Sequence, residues 1–376
     1  MGRPAVLSGT LMERILGPIE FGTVISPVGE PGLSDGAQYA EALGDAEYVR
    51  TLGYDALWAI EHHFSDYFPT PSPLLFLSHL AARMPEMDLG TCVIVLPWYN
   101  PMRLAGEIAM LSHLTHGRLH LGVGRGTARL EYEALGVPMS EARARFRECF
   151  EIVSRGLAGG KFAHHGTFFD LPRDIEIRPR PVIDRINFYG AALSPESSTT
   201  MADLNLPMIR VSNFPHKHHA AAFRVWGERM RSLGRSTEMT QPLLLHAVIA
   251  DTEDAALALA KEHLSRYNAK VVEHYEADSD PWKDIDEYQA FSRFMQNARK
   301  LTDPDQMGPW LEFQLVGTAK TVCEQLERYV ELGFNHFVVQ NATYGMPRAY
   351  RHDMWRRFAR DVIPHFKGSV STQKAG

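Results

Sequence analysis

The sequence predicts an α/β fold in which eight parallel strands close into a (β/α)8 barrel, and three observations lead to it. Short runs rich in β-branched and aromatic residues alternate with longer segments of helical periodicity, and eight runs of each kind can be counted. Several short runs are almost continuously apolar, such as Cys92–Leu96, as strands covered on both faces require. Each parallel return needs a crossover helix, so this alternation along 376 residues favours a barrel.

The predicted elements follow one another in a regular order. The strands are expected at Ile19–Ile25, Tyr54–Ile60, Met87–Leu96, Arg118–Gly124, Ile186–Ala191, Pro207–Ser212, Leu243–Ala250 and Asn335–Gln340. The helices are expected at Ala37–Leu52, Pro73–Met84, Pro101–Leu114, Arg143–Ala158, Pro195–Leu204, Lys217–Leu233, Thr252–Glu276 and Ala319–Leu332. Proline in the first turn marks two helix beginnings, at Pro101 and Pro195, and glycine after leucine marks two helix ends, at Gly53 and Gly333.

Two insertions interrupt this alternation. Residues 161–171, before the fifth strand, are expected to form a short hairpin that turns at His165-Gly166. Residues 277–309, before the eighth strand, are polar and acid-rich, and they form either a lid over the barrel mouth or a solvated surface excursion. We expect residues 1–366 to form a single domain and residues 367–376 to form a disordered tail.

Composition argues against several classes of protein. The formal net charge is −6, from 39 Lys and Arg against 45 Asp and Glu, and no basic run suggests a nucleic-acid or anionic membrane partner. The three cysteines are widely spaced, which argues against a disulfide framework and against structural zinc. No signal-peptide pattern or long apolar window is present, so we expect a cytoplasmic protein without a membrane span.

Active sites of (β/α)8 barrels lie at the carboxyl ends of the strands. That rule selects His62 and His63, Asn100, Gly122–Gly126, Ser194, Asn213 and Asn341. Adjacent residues of an extended segment point to opposite sides, so at most one of His62 and His63 faces a central ligand. His62 also fits an ordinary packed histidine. No His-x-His or Glu-x-x-His spacing lies near it, so we expect no metal there.

Two neighbouring strand ends suit a phosphate. Glycines around Arg125 let a ligand approach the backbone, and the guanidinium can bind a phosphate through two N–H groups. Ser194 begins a helix whose free N–H groups and dipole favour an anion. Taken singly, each segment also fits an ordinary turn or an ordinary N-cap. Together they predict a phosphate-bearing cofactor.

These segments, in this order, resemble the bacterial luciferase family, and most closely its α-subunit. The resemblance runs from about Phe21 to Phe366 and is strongest from Gly53 to Pro138. The segments that carry it are Gly53–Phe64, Leu89–Pro97, Leu114–Gly126, Ser194–Glu196, Asn205–Ile209 and Leu315–Thr318.

The resemblance implies a two-component flavin monooxygenase. Such an enzyme takes reduced FMN from a separate flavin reductase and uses O2, through a flavin hydroperoxide, to oxygenate a small organic substrate. His62 would be the general acid/base near the flavin. The matching cofactor residues are Arg125, Arg143, Ser194 and Ser197 on the phosphate, Leu193 through its backbone, and Ala191 beside the isoalloxazine ring. Cys92-Val93 matches a position where the family can carry a non-proline cis peptide.

Departures from luciferase indicate a different substrate. Gly124 replaces a flavin-side cysteine, which would open space beside the ring, and Ala128 replaces a tyrosine. The substrate pocket is expected around Trp98, Tyr99, Asn100, Tyr132 and Asn213. The family also implies a homodimer through the helices beside the second and third strands. Three alternatives stay open: a deazaflavin-dependent dehydrogenase on the same barrel, a non-catalytic flavin-binding relative, and a metal-dependent hydrolase.

Overall fold

The computed structural model describes residues 17–341 and 343–371, and within them the strands form a closed barrel. The described strands are β1 (Glu20–Val24), β2 (Ala56–Ala59), β3 (Asp88–Val95), β4 (Leu119–Gly124), β5 (Phe162–His165), β6 (Asp170–Ile175), β7 (Ile186–Ala191), β8 (Met208–Val211), β9 (Pro242–Ile249), β10 (Leu315–Gly317) and β11 (His336–Gln340). Eight of them pair in parallel in the order β1-β2-β3-β4-β7-β8-β9-β11, and β11 returns to β1. The predicted fold class is confirmed.

The helices lie between these strands. Those described are α1 (Asp35–Thr51), α2 (Pro73–Arg83), α3 (Pro101–Leu114), α4 (Arg129–Ala134), α5 (Ala142–Ala158), α6 (Pro195–Asp203), α7 (His216–Ser232), α8 (Glu253–His274), α9 (Gln289–Ala298), α10 (Gly308–Leu311), α11 (Ala319–Glu331), α12 (Arg348–Arg357) and α13 (Ile363–Ser371). All eight predicted helices are present, with ends within about two residues of those predicted, the scatter usual for helix boundaries. None of the helices in the described part of the chain is long and apolar enough to cross a membrane.

A layer of aromatic side chains fills the barrel near the amino ends of its strands. Trp58 is fully buried there, and its ring packs against those of His120 and His336. Glycine on the two flanking strands makes room for the indole, because a Cβ at Gly22 or Gly90 would lie 2.4 Å from a ring atom of Trp58. The open space of the barrel is therefore at the carboxyl ends of the strands.

The chain departs from the predicted elements in several places; the short helices α4 and α10, for example, were not predicted. The hairpin of β5 and β6 forms as expected but continues to Ile175, and its turn covers residues 166–169. The short strand β10 lies beside the end of β9 and was not predicted. Two helices after the last strand, α12 and α13, were not predicted either. Residues 367–371 of the expected disordered tail belong to α13; residues 1–16 and 372–376 lie outside the described chain.

The helix α12 carries few apolar residues, and ion pairs hold it against α1 and the loop before α1. Arg351 is only 2% exposed, and its guanidinium contacts the carboxylates of Glu30, Glu41 and Asp45 at 2.7 to 3.2 Å. Helical periodicity of apolar residues is therefore weak in this segment, and a pattern-based prediction passes over it.

The insertion before the eighth strand packs onto the barrel mouth. Trp282 and Tyr288 are fully buried, and each donates a hydrogen bond to a backbone carbonyl of the loop after β4: Trp282 Nε1 to Thr127 at 2.7 Å and the Tyr288 hydroxyl to Gly126 at 3.1 Å. Of the two interpretations of residues 277–309, this packing favours a cover over a solvated excursion. Whether the cover opens as a lid stays a prediction.

Candidate active site

A cavity of about 290 Å³ lies at the carboxyl ends of the barrel strands and beneath the insertion. Eleven of the fifteen residues predicted for catalysis, the cofactor and the substrate pocket line it: His62, Cys92, Val93, Trp98, Gly124, Arg125, Ala191, Leu193, Ser194, Ser197 and Asn213. A twelfth, Arg143, lines a small adjoining recess of about 30 Å³ together with Arg125 and Ser197. Residues far apart in sequence therefore meet in one place, as the strand-end rule predicts.

Three of the predicted pocket residues do not line the cavity, and one of them, Tyr99, forms a side-chain hydrogen bond with Glu61. Asn100 is the N-cap of α3, and its side chain accepts hydrogen bonds from the N–H groups of Met102 and Arg103 at 3.1 Å. Tyr132 is buried behind the cavity wall, where its hydroxyl donates to the carbonyl of Arg125 and its ring meets that of Trp98 edge-on. Capping and packing thus explain Asn100 and Tyr132 without a ligand.

The wall between β3 and β4 is tightly packed. The Cys92–Val93 peptide bond is cis, as the resemblance implies for this position. A Cβ at Gly124 would lie only 2.6 Å from Cγ2 of Val93 and 3.5 Å from Cβ of Ala191. The expectation that Gly124 opens space beside the isoalloxazine ring is therefore wrong, because Val93 occupies the place where a side chain at position 124 would lie.

At one end of the cavity, two arginines hold a carboxylate supplied by the insertion. Oε2 of Glu287 lies 3.1 Å from Nη1 of Arg125 and 3.2 Å from Nε of Arg143. The Glu287 carbonyl also accepts a hydrogen bond from Arg125 Nη2 at 2.8 Å, and the guanidinium lies over the ring of Tyr288. These arginines therefore share one oxyanion. Glu287 had no distinguishing signal in the sequence, where it is one acid among many in an acidic segment.

The serines beside the arginines form a capping box. Ser194 accepts from the N–H of Ser197 at 3.2 Å, and Ser197 Oγ accepts from the N–H groups of Ser194 and Leu193 at 2.9 and 3.0 Å. The ordinary N-cap interpretation is thus correct for the geometry seen here. Their position beside the arginines at the beginning of α6 still places two hydroxyls on the cavity wall.

His62, which also lines the cavity, is hydrogen-bonded to a buried carboxylate. Its Nδ1 lies 3.1 Å from Oε1 of Glu131, a residue of α4 that is 1% exposed. Burial lowers the pKa of His62 to about 3, with His63 as a smaller cause, so His62 is neutral at pH 7. Its other nitrogen, Nε2, lies 3.5 Å from the Tyr275 hydroxyl.

His63 points away from the cavity and has its own buried partner. Its Nε2 lies 3.1 Å from Oε1 of Glu61, whose other oxygen accepts from the backbone N–H of Val95 at 3.0 Å. Burial raises the pKa of Glu61, and the bonds to His63 and Val95 oppose that rise. His62 lines the cavity and His63 does not, as the strand-end argument anticipated.

His62 also has neighbours that the sequence search missed. His274 at the end of α8 places Nε2 3.6 Å from Glu131 Oε1, so two imidazoles approach one carboxylate. A search of adjacent residues for metal-type spacing could not find this group, because its members lie 69 and 143 positions apart. Such a set of three donors could also hold a metal ion.

The rest of the cavity wall is largely aromatic. The rings come from the chain after β2, from α8 and its end, and from the insertion and α10: Tyr67, Tyr267, Tyr275, Phe291, Phe294 and Trp310. Three amides interrupt them, those of Asn213, Asn268 and Gln340, and Asn213 already accepts from Trp310 Nε1 at 2.9 Å. This region suits an uncharged, mainly apolar organic molecule with few polar groups.

The fold and the cavity define the chain as a (β/α)8 barrel with a cavity at the carboxyl ends of its strands. A family model of luciferase-like monooxygenases matches residues 19–336, and the chain belongs to that family.

Curated proteins similar to this chain include a monooxygenase component that matches most of its length. The chain is 26% identical over 338 residues to the oxygenase component of the flavin-dependent trigonelline monooxygenase of Acinetobacter baylyi, which covers 88% of this chain and 91% of that protein. It spans about a third to a half of the length of three other relatives. One is uncharacterized protein y4vJ of Sinorhizobium fredii, 42% identical over 120 residues, or 32% of this chain and 34% of that protein.

Solved structures share the fold. Monooxygenase RslO1 of Streptomyces bottropensis has a TM-score of 0.77 at 24% identity, covering 93% of this chain and 100% of that one. The oxygenating constituent of 3,6-diketocamphane monooxygenase from Pseudomonas putida, solved with FMN, has 0.72 at 19%, covering 92% and 98%. An F420-dependent secondary alcohol dehydrogenase has 0.71 at 17%, with the same coverage of 92% and 98%.

Proposed function

We propose that this chain is the oxygenase of a two-component flavin monooxygenase, which receives reduced FMN from a separate flavin reductase and uses O2 to oxygenate a small organic substrate. The observation that carries the proposal is the pair Arg125 and Arg143 beside a strand-end cavity that His62 also lines. The trigonelline relative, named as an oxygenase component, supports the two-component arrangement.

The residues present fit the FMN phosphate. The two arginines already bind the single carboxylate of Glu287, which shows that their geometry accepts one oxyanion at about 3.1 to 3.2 Å. The hydroxyls of Ser194 and Ser197 line the same end of the cavity. When bound, reduced FMN would supply the electrons that activate O2.

The chain's own residues would do the remaining work. The arginines would orient the cofactor, and Val93 and Ala191 would pack against its ring. His62, neutral at pH 7, would accept or return a proton at Nε2. The insertion, through Trp282 and its neighbours, would keep water out of the cavity.

The proposal is tested by cofactor titration followed by oxygen uptake. Anaerobic titration is expected to show tighter binding of reduced FMN than of a reduced deazaflavin. Addition of a flavin reductase, NADH and O2 is expected to give product only with certain compounds from a panel of aldehydes, cyclic ketones, terpenes and aromatic rings. A chain that binds only the deazaflavin and transfers hydride without O2 would be the dehydrogenase alternative instead. Binding of reduced FMN without product from any compound would favour the non-catalytic alternative.

Two further expectations concern the whole protein. A cytoplasmic location remains a prediction from composition. The expected homodimer through α2 and α3 is supported by large apolar side chains exposed on these helices, Leu75 at 72%, Met110 at 50% and Leu114 at 48%.

Glu287 is expected to compete with the FMN phosphate for the arginines. Glu287→Gln removes the competing charge, and the partly exposed ion pair is worth about 1 kcal/mol, so FMN should bind about fivefold more tightly. The matched control is Asp286→Asn, an exposed acid next to it with the same change in net charge. Fluorescence titration with FMN measures both variants. Weaker binding by Glu287→Gln than by Asp286→Asn would show that Glu287 assists the cofactor.

A further inference from the structure

The carboxylate beside His62 acts as a hydrogen-bond acceptor. Oε1 of Glu131 accepts from the backbone N–H of His63 at 2.7 Å, and Nδ1 of His62 lies 3.1 Å from the same oxygen. Because Oε1 already accepts from a backbone N–H, it acts as an acceptor toward His62 as well, so the ring nitrogen that faces it must carry a proton. A neutral imidazole has a single N–H, and the proton on Nδ1 leaves a lone pair on Nε2.

The surroundings of Glu131 support the same assignment. His274 presents Nε2 at 3.6 Å from Oε1, and its Nδ1 lies 2.7 Å from the hydroxyl of Ser65, which can donate to it. Burial lowers the pKa of His274 to about 3, so this ring is also neutral at pH 7. Burial raises the pKa of Glu131, while His274 and the His63 N–H oppose that rise. One carboxylate oxygen thus faces N–H groups from three residues.

The other ring nitrogen of His62, Nε2, lies on the cavity side. Nε2 lies 3.5 Å from the hydroxyl of Tyr275, and both residues line the cavity wall. The rings of Tyr67 and His274 pack against the His62 ring at centroid distances of 4.8 and 4.4 Å. These contacts restrict rotation of the His62 ring. The tautomer therefore decides whether Nε2 presents an N–H group or a lone pair to the cavity.

We propose that Glu131 is a positioning residue that holds His62 in the Nδ1–H tautomer and thereby presents the Nε2 lone pair to the cavity. In turnover, which rests on the proposed function, a proton would pass from an X–H group of a bound molecule to Nε2, and the electron pair of that bond would stay on X. The resulting imidazolium would keep its Nδ1–H bond to the carboxylate, which would stabilise the new charge.

The same three side chains could instead be the ligands of a metal ion. Nδ1 of His62, Nε2 of His274 and Oε1 of Glu131 lie within 4.8 Å of one another, as the ligands of a divalent cation do. The hydrogen bond from His63 to Oε1 favours the proton arrangement, because that oxygen already has a donor. Metal content is therefore measured in the same preparations.

The tautomer can be measured without cofactor or substrate. Long-range proton–nitrogen correlation spectra of protein labelled with ¹⁵N-histidine distinguish Nδ1–H from Nε2–H, and the His62→Asn spectrum identifies the His62 signals. We expect the Nδ1–H form in the wild type and in Glu131→Gln, whose amide oxygen can replace Oε1. In Glu131→Met, which lacks an acceptor, we expect the Nε2–H form to appear.

Measurements of turnover then test whether the tautomer of His62 matters for catalysis. Glu131→Met is expected to lower kcat about 10- to 100-fold, with KM and FMN affinity within about twofold, since misplaced acid–base groups act on the chemical step. Glu131→Gln should retain most of the activity, and Glu133→Met, on the exposed side of the same helix, should retain all of it. An Nε2–H form in the wild type, an unchanged tautomer in Glu131→Met, or a stoichiometric divalent metal would overturn the proposal. If the wild type turns over no substrate, the proposed function fails, while the spectra still decide the role of Glu131.

Discussion

Replacing His62 with alanine is expected to lower turnover by about 10²- to 10⁴-fold, the usual contribution of a general acid or base, while FMN affinity stays within about twofold. The reason is that proton transfer and phosphate binding depend on different residues. His62 contacts Glu131 and Tyr275, whereas Arg125 and Arg143 share Glu287, so the loss of His62 leaves the arginine contacts intact. Single-turnover kinetics with pre-bound reduced FMN measures the chemical step, and fluorescence titration measures binding.

The neighbouring histidine provides the contrast. His63→Asn changes a side chain that pairs with Glu61 and does not line the cavity, so a smaller loss of turnover is expected. Equal losses in the two variants would mean that the segment matters for its structure and that His62 has no special chemical role.

The pH dependence of turnover follows from the state of His62. Burial lowers its pKa to about 3, so the imidazole is neutral, and able to accept a proton, throughout the range above that value. Between pH 5 and 8 His62 should therefore contribute no acidic limb to kcat. An acidic limb near pH 6.5 that disappears in His62→Asn would show that water or ligand restores its ordinary pKa.

Replacing Arg125 with alanine is expected to weaken FMN binding about 10- to 100-fold, because a charge-assisted hydrogen bond contributes about 1.5 to 3 kcal/mol. Riboflavin lacks the phosphate, so its affinity should change little and the preference for FMN over riboflavin should shrink by the same factor. Paired titrations with the two flavins measure this ratio, which is insensitive to general damage to the fold.

Two control variants test whether the weaker binding is specific to the phosphate. Arg129→Ala removes a surface arginine that pairs with Glu276 and does not line the cavity, so both affinities should be unchanged. Arg125→Lys keeps the charge but loses the two-pronged geometry, so an intermediate loss is expected. Equal weakening of FMN and riboflavin by Arg125→Ala would instead assign Arg125 to holding the insertion, through its contacts with Glu287 and Tyr288.

Errors in the predicted site follow from local bonding that sequence position does not reveal. Asn100 is at a strand end, yet its amide oxygen accepts from the first turn of α3. Tyr132 follows the glycine-rich turn, yet the short helix α4 directs it behind the wall, while its neighbour Glu131 reaches His62. Successive residues of a helix point in different directions, so Glu131 faces His62 while Tyr132 packs behind the cavity wall.

The sequence by itself determined the barrel, its main helices and eleven of the residues that line the cavity. It could do so because strand and helix periodicity are local properties and because parallel strands in a barrel end on the same side. The motifs around His62, Arg125 and Ser194 then pointed to the family whose model matches the chain.

Only the tertiary structure decided what these residues contact. The Glu131–His62–His274 group and the Glu287 contact with Arg125 join residues from distant segments, and an acid or a histidine carries no local sign of such a partner. Burial, which sets the pKa of His62 and its partners, depends likewise on the whole packed fold.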